Sequence, residues 1–173
     1  MLGEDGREMH KSWGNAVWFD DAVEKMGADV MRWMYCTNRP EGNLIWNWGE
    51  DVKRRFLIPL WNIYSFFVTY ANLDMWTSKN TVKMNSLSPL DRWILSKLNV
   101  LIKDVTRHLD DYDPYNASFS LEKFVEELST WYVRRSRRRF WKSEKDEDKN
   151  AAYTTLYMCP VSYTHLTLPT KRI

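Results

Sequence analysis

Long apolar runs, cysteines and an excess of charge of one sign are all scarce in this chain of 173 residues. No apolar run reaches the ~18 residues that a membrane-spanning helix requires, and the charged first residues are unlike a signal peptide. The two cysteines, Cys36 and Cys159, lack the spacing of metal ligands, so neither a zinc site nor a disulfide framework is indicated. The formal net charge is only +2, so any binding of nucleic acid must come from local basic clusters. We expect a protein of a reducing, cytoplasmic environment, with no membrane partner and no metal site.

Apolar side chains, in contrast, are abundant and periodic. With 44% hydrophobic residues the chain can build a core, and these residues recur every three or four positions, as in amphipathic helices. We predict helices over residues 16–36 (two short ones), 50–74, 89–110, 114–142 and 150–157. Ser88 and Asp91 have the spacing of a capping box, and Pro59 should disturb its helix near Arg55 and Phe56. Several antiparallel helices with short connections predict a helical bundle.

The first candidate for function is a short stretch punctuated by glycine, residues 5–15. Lys11 and Ser12 lie between Gly6 and Gly14, and glycine allows backbone conformations with positive φ. Lysine supplies a mobile positive charge with three donors, and serine adds a hydroxyl. A loop of this composition can hold phosphate oxygens. The alternative is an ordinary surface turn with one solvated lysine.

Residues 8–12 (Glu-Met-His-Lys-Ser) resemble the KMSKS signature loop of class I aminoacyl-tRNA synthetases. The Asp-Gly-Arg before this stretch and the Gly-Asn after it extend the match. Further similar segments follow in the order found in isoleucyl-tRNA synthetases, at residues 27–33, 54–62, 90–98 and 131–141. The resemblance covers roughly residues 1–157 and depends on several ordered segments, which are together far more specific than one five-residue loop.

The resemblance implies a mainly α fold, with two family-like parts before the tail at residues 158–173. Residues 1–48 would be the C-terminal edge of a class I (Rossmann-type) catalytic domain, and residues 49–157 an incomplete α-helical anticodon-binding domain. The parent enzyme would activate isoleucine with ATP and Mg²⁺ and transfer it to its tRNA. Because the nucleotide-binding sheet and amino-acid pocket of that family have no counterpart here, we expect a monomeric fragment that is inactive alone. A valyl- or leucyl-type parent stays open for the same reason.

The resemblance also assigns roles in the loop. Lys11 would stabilise the negative charge that builds on the leaving pyrophosphate, and Met9, His10, Lys11 and Ser12 would together bind ATP. Two positions depart from the family pattern, which has lysine in place of Glu8 and serine in place of His10. The negative Glu8 must either point away from the phosphates or weaken the loop.

A second candidate is the arginine-rich stretch 131–142, which contains five arginines and one lysine. On a helical wheel of about 100° per residue, Arg135 and Arg139 fall on the apolar face. There they should pair with carboxylates such as Asp91, Asp104 or Glu144, since an unpaired buried charge is costly. The outward side chains are candidates for tRNA contact through phosphates and bases, and they are Arg134, Arg137, Arg138 and Trp141. The alternative for these is a solvated charged face.

The last stretch, residues 158–173, departs from the family and resembles read-through of non-native sequence. Pro160 and Pro169 should exclude a continuous helix through it, so we expect it to be disordered and without function. For the chain as a whole, two further possibilities stay open. One is a non-catalytic tRNA-binding helical module, and the other is a helical scaffold with a charged face.

Overall fold

The computed structural model describes residues 1–3, 5–39, 41–78, 82, 86–143 and 146–167. Its helices are α1 (Phe19–Met26), α2 (Ala28–Cys36), α3 (Glu50–Val52), α4 (Ile58–Asp74), α5 (Pro89–Asp110), α6 (Pro114–Glu127), α7 (Arg134–Trp141) and α8 (Glu147–Thr167). A 3₁₀ turn covers Lys11–Trp13. Within the described ranges, β structure is limited to isolated bridges that join Leu2 to Glu8 and to Ile45. None of the helices described is long and apolar enough to cross a membrane.

The predicted helical bundle is confirmed, and helices α4 to α8 form it. Helix α5 packs against α6 and α8, and α8 also packs against α4 and α7. The side chains that these helices bury together include Ile63, Ile94, Leu98, Leu121, Phe140 and Leu156. The catalytic-domain edge predicted for residues 1–48 contains no sheet in the part described, and its assignment stays a prediction.

A smaller core lies beside the bundle and fixes the first 48 residues to it. It is formed mainly by α1, α2 and the segment before α3, with Met26, Met34 and Trp46 among its buried members. Trp33 belongs to both cores. Its ring stacks on Phe56, with centroids 3.9 Å apart, and its Nε1 donates to a carboxylate of α6. The two parts therefore share packed side chains.

The start of α5 follows directly from its sequence. The Ser88 hydroxyl accepts a hydrogen bond from the backbone N–H of Asp91 (3.2 Å), and the Asp91 carboxylate accepts one from the backbone N–H of Ser88 (3.0 Å). This is the reciprocal capping box that the spacing predicts, and it satisfies two donors that a helix N-terminus otherwise leaves unpaired.

Replacing this cap should measurably destabilise the chain. We expect Ser88→Ala to lower the free energy of unfolding by about 1 kcal/mol, because the N–H of Asp91 loses its acceptor. Urea unfolding followed by circular dichroism measures the change. Ser96→Ala is the matched control, since Ser96 is an exposed residue in the interior of the same helix. Equal midpoints for the two variants would contradict the capping role.

Two of the described helical segments contain a turn of π-helix. The first, Lys53–Leu57, joins α3 to α4 and lies just before Pro59, at the place where the sequence predicts a disturbance. The second, Leu128–Val133, joins α6 to α7 and was not predicted. A π turn holds one more residue than an α turn. The buried face after this turn is therefore shifted by about one residue relative to an uninterrupted α-helix. Its buried members there are Ser136 and Phe140.

Helix α8 contradicts the prediction that Pro160 excludes a continuous helix. The helix runs from Glu147 to Thr167 with Pro160 inside it. Proline removes only one backbone donor, and the residues just before it are held by packing, since Leu156 and Cys159 are fully buried. Residues 158–167, which were predicted to be disordered, continue helix α8. Pro169 and the rest of residues 168–173 lie outside the described residues, and the non-native origin predicted for residues 158–173 stays a prediction.

Candidate nucleotide loop and nucleic-acid interface

The glycine-punctuated loop is tied to the small core by backbone hydrogen bonds. The N–H of Leu2 donates to the carbonyl of Leu44 (2.8 Å), and the N–H of Trp46 donates to the carbonyl of Leu2 (2.9 Å). Gly3 N–H in turn donates to the carbonyl of Arg7 (2.8 Å) at the base of the loop. Trp46 is buried, so the loop has a fixed root. Sequence reasoning missed this anchor, because a bridge of two or three residues leaves no periodic signal.

One side chain closes the loop around Lys11. The amide of Asn15 accepts a hydrogen bond from the N–H of His10 (2.9 Å) and donates one to the carbonyl of Glu8 (3.0 Å). Gly14 has a φ of 70°, a left-handed conformation that glycine adopts without strain. Asn15 lies after the turn, and its side chain hydrogen-bonds to the backbone before the turn. The tip of the loop is therefore compact.

The ammonium group of Lys11 is available to bind an anion. Its ammonium lies 4.9 Å from the centroid of the Trp18 ring, and none of the described carboxylates forms an ion pair with it. The carboxylate of Glu8 contacts the ring of His10, with Oε2 and Nε2 3.3 Å apart. The two residues that depart from the family pattern thus contact each other.

The other predicted ATP ligands face different directions. Ser12 and His10 are exposed, as is Lys11, whereas Met9 is half-buried and packs against the small core. Met9 therefore anchors the loop through its side chain. The described residues contain no cluster of three or more His, Cys, Asp or Glu side chains that could hold a metal ion.

The arginine-rich helix has one member that is engaged inside the protein. Arg139 forms a bidentate ion pair with Asp91, through Nη1 to Oδ1 (2.7 Å) and Nη2 to Oδ2 (2.8 Å). Its Nη2 also reaches the carboxylate of Asp148 at 2.8 Å. The Tyr132 hydroxyl donates to the same Asp91 oxygen at 2.6 Å. We call Asp91, Tyr132, Arg139 and Asp148 the clasp. They join the start of α5 to the π turn and α7 and to the start of α8.

Burial and hydrogen bonding oppose each other in the clasp. Asp91 is fully buried, and burial alone would raise its pKa, but hydrogen bonds from Arg139, Tyr132 and Ser88 lower the pKa of Asp91 below its ordinary value of 3.8. Burial and the neighbouring carboxylate both raise the pKa of Tyr132. Asp91 is therefore an anion, and Tyr132 is a neutral donor to it.

The prediction that Arg139 pairs with a carboxylate is confirmed, and among the three candidates its partner is Asp91. Asp104 contacts Arg107 instead, at 3.7 Å, and Glu144 lies outside the described residues. The contact with Asp148 was not predicted, since no sequence pattern links it to Arg139.

The prediction for Arg135 is wrong. Its side chain is exposed, and its guanidinium lies 4.3 Å from the centroid of the Trp131 ring in a cation–π contact. The reason is the π turn at Leu128–Val133. It rotates all later residues by about one position relative to an uninterrupted α-helical wheel, so Ser136 takes the buried place that the wheel gave to Arg135.

The outer surface of α7 consequently presents more arginine than the sequence predicts. We call it the arginine face, and its members are Trp131, Arg134, Arg135, Arg137, Arg138 and Trp141. All six are exposed, the two tryptophans by 51% and 56%. Among the described residues, no carboxylate pairs with these four arginines, whereas the nearby Lys142 pairs with Asp146 (3.3 Å) and Asp148 (3.2 Å). Four unpaired guanidinium groups beside two exposed indoles match the requirements for binding a phosphate backbone and unstacked bases.

Known proteins resemble the chain along nearly all of its length. The family model for the anticodon-binding domain of tRNA ligase matches residues 91–169. The chain is 49% identical over 173 residues to an isoleucine–tRNA ligase of Dehalococcoides mccartyi, which covers 98% of the chain and 17% of that relative. It is 44% identical to the isoleucine–tRNA ligase of Thermus thermophilus, again over 98% of the chain and 17% of the relative. For Clostridium tetani the identity is 43%, over 91% of the chain and 15% of the relative. The chain thus spans less than a fifth of the length of these relatives.

Proposed function

We propose that this chain, which is similar to isoleucine–tRNA ligases and matches the anticodon-binding domain of tRNA ligase over residues 91–169, acts in the attachment of isoleucine to its tRNA. The parent enzyme would activate isoleucine with ATP and then esterify the tRNA. In this proposal residues 49–157 hold the tRNA, and residues 1–48 end the catalytic domain. The observation that carries the proposal is the arginine face, a set of exposed cations without carboxylate partners in the described structure.

The arginine face would bind tRNA in two ways. Arg134, Arg137 and Arg138 would neutralise phosphates, as the sequence predicts, and the exposed position of Arg135 adds a fourth cation. Contacts to phosphates set the affinity and release counterions, so binding depends on salt. Trp131 and Trp141 would offer flat surfaces to bases of an RNA loop, because unpaired bases stack on aromatic side chains.

The loop around Lys11 would serve the other substrate. Lys11 would lie against the pyrophosphate end of ATP, where a fixed positive charge lowers the barrier as negative charge moves to the leaving group. His10 and Ser12 are exposed beside it and would donate hydrogen bonds to phosphate oxygens. Mg²⁺ would arrive on the ATP phosphates, since it is usually bound through phosphates and few protein carboxylates.

Binding of tRNA by the purified chain tests the proposal. We expect binding at about 50 mM salt that weakens roughly 50-fold at about 200 mM, because four phosphate contacts give a logarithmic salt slope near −3. Filter binding or fluorescence anisotropy with tRNA for isoleucine measures both values. The presence or absence of ATP should make no difference to this step.

The same measurement tests the alternative of a helical scaffold. A helical scaffold with a solvated charged face would not bind tRNA at physiological salt, although its helical circular dichroism would be intact. Equal affinity at both salt concentrations would also contradict phosphate contact by the arginine face.

A further inference from the structure

The side chain of Asn15 has a position that the proposed function does not yet use. Its Oδ1 accepts the His10 N–H at 2.9 Å, and its Nδ2 donates to the Glu8 carbonyl at 3.0 Å. The Glu8 carbonyl and the His10 N–H lie on either side of Met9, and Asn15 lies beyond the turn at Lys11–Trp13. One amide therefore holds the start of the loop and closes it around Lys11.

Other contacts also hold this part of the chain, since Met9 packs against the small core and the Lys11 ammonium lies over the Trp18 ring. The turn has its own backbone hydrogen bonds, from Trp13 N–H to the His10 carbonyl (3.1 Å) and from Gly14 N–H to the Lys11 carbonyl (3.2 Å). These bonds shape the turn but do not fix it to residues 8 and 9, which carry the root of the loop. Among the described residues, the side chain of Asn15 is the one that hydrogen-bonds to the backbone of Glu8 and His10.

A restraint of this kind matters for a charged group that must act at one place. Lysine has a long flexible side chain, and Lys11 is exposed here. Ordering a free residue costs roughly 1–2 kcal/mol of conformational entropy. A loop that is already ordered does not meet that cost when the ligand binds, and it binds more tightly for this reason.

We propose that Asn15 is a positioning residue that acts through Lys11. Its amide holds the turn so that the ammonium group meets the polyphosphate of the nucleotide. The inference rests on the proposed function of Lys11. Asn15 contacts no phosphate in this scheme, and its effect on binding therefore requires Lys11 to be present.

A double-mutant cycle on the whole chain tests the inference, with inorganic tripolyphosphate as the probe. The variants are Asn15→Ala, Lys11→Met and the two combined. Asn43→Ala is the control, because Asn43 is also a loop asparagine but is exposed and lies outside the turn, whereas Asn15 is half-buried. Isothermal calorimetry measures the affinity, and amide hydrogen exchange at His10 measures whether the loop stays closed. The loop lies outside the bundle, so thermal unfolding should be unchanged in all four proteins.

We expect Asn15→Ala to weaken tripolyphosphate binding about tenfold and to speed exchange at His10, with no further weakening when Lys11→Met is already present. If Asn15→Ala opens the loop and affinity stays at the parent value while Lys11→Met loses it, the positioning role is overturned and the role of Lys11 stands. Additive losses in the double variant would also overturn it. If Lys11→Met binds tripolyphosphate as the parent does, the role of Lys11 and the role of Asn15 both fail.

Discussion

Arg139→Ala should lower the free energy of unfolding by about 3–5 kcal/mol, because it leaves the Asp91 carboxylate buried without its cation. Asp91 is fully buried, and Arg139 supplies two of the hydrogen bonds that keep it charged. Tyr132 and the N–H of Ser88 would still donate to the carboxylate, but they cannot replace a positive charge. For a chain of this length the melting temperature should fall by about 10 °C, as differential scanning calorimetry can show.

The matched control for this variant is Arg137→Ala. Arg137 is on the same helix but is exposed and has no carboxylate partner in the described structure, so its loss should change stability by no more than about 0.5 kcal/mol. Similar melting temperatures for the two variants would show that the clasp does not stabilise the bundle.

The pH dependence provides a second check on the clasp. Because the folded protein holds the pKa of Asp91 below its ordinary value of 3.8, this group stabilises the fold above that pH, and the contribution is lost as pH falls through the folded pKa. In Arg139→Ala the buried carboxylate can protonate and so lose its unpaired charge. The difference in stability between parent and variant should therefore narrow below about pH 4.

Changing the four exposed arginines of α7 to alanine should abolish measurable tRNA binding at about 150 mM salt. Each phosphate contact contributes to the salt slope, so loss of Arg134, Arg135, Arg137 and Arg138 should bring the slope from near −3 to near zero. Circular dichroism should be unchanged, since all four side chains are exposed. The measurement is the dissociation constant at several salt concentrations, for parent and variant side by side.

A control with the same change in net charge isolates the position of the arginines. Arg32, Arg54, Lys103 and Lys123 are four exposed cations on other helical segments, and changing them to alanine should leave most of the affinity. Equal losses in the two quadruple variants would mean that tRNA responds to net charge alone. Arg135→Ala by itself is informative as well. It should cost about as much binding as Arg134→Ala, and a neutral result would exclude it from the arginine face.

The local features of the fold were predicted well because they depend on neighbouring residues. Ser88, Pro89 and Asp91 specify the start of α5 within four positions, and the structure shows the capping box there. The apolar spacing of α5 and α6 likewise predicts which side chains enter the core, such as Ile94 and Leu121. Each of these signals is contained within one or two helical turns.

The candidate sites were predicted only in part. The loop around Lys11 and the outward positions of Arg134, Arg137 and Arg138 could be read from residue types and spacing. The bond between Leu2 and Leu44 could not, because it joins residues far apart in the chain by backbone atoms. The contact of Glu8 with His10 was not predicted either, and whether Glu8 weakens the loop stays a prediction.

By itself the sequence determined the helical bundle, the caps of its helices and the presence of a lysine loop and an arginine-rich helix. It did so because apolar periodicity and capping are local properties. Only the tertiary structure decided which arginine faces inward. The π turn at Leu128–Val133 adds one residue to a single turn and rotates α7, so Arg135 lies outside on Trp131 while Arg139 reaches the buried Asp91. The tertiary structure also decided that α8 continues past Pro160, since the burial of Leu156 and Cys159 stabilises a helix from which proline removes one hydrogen bond.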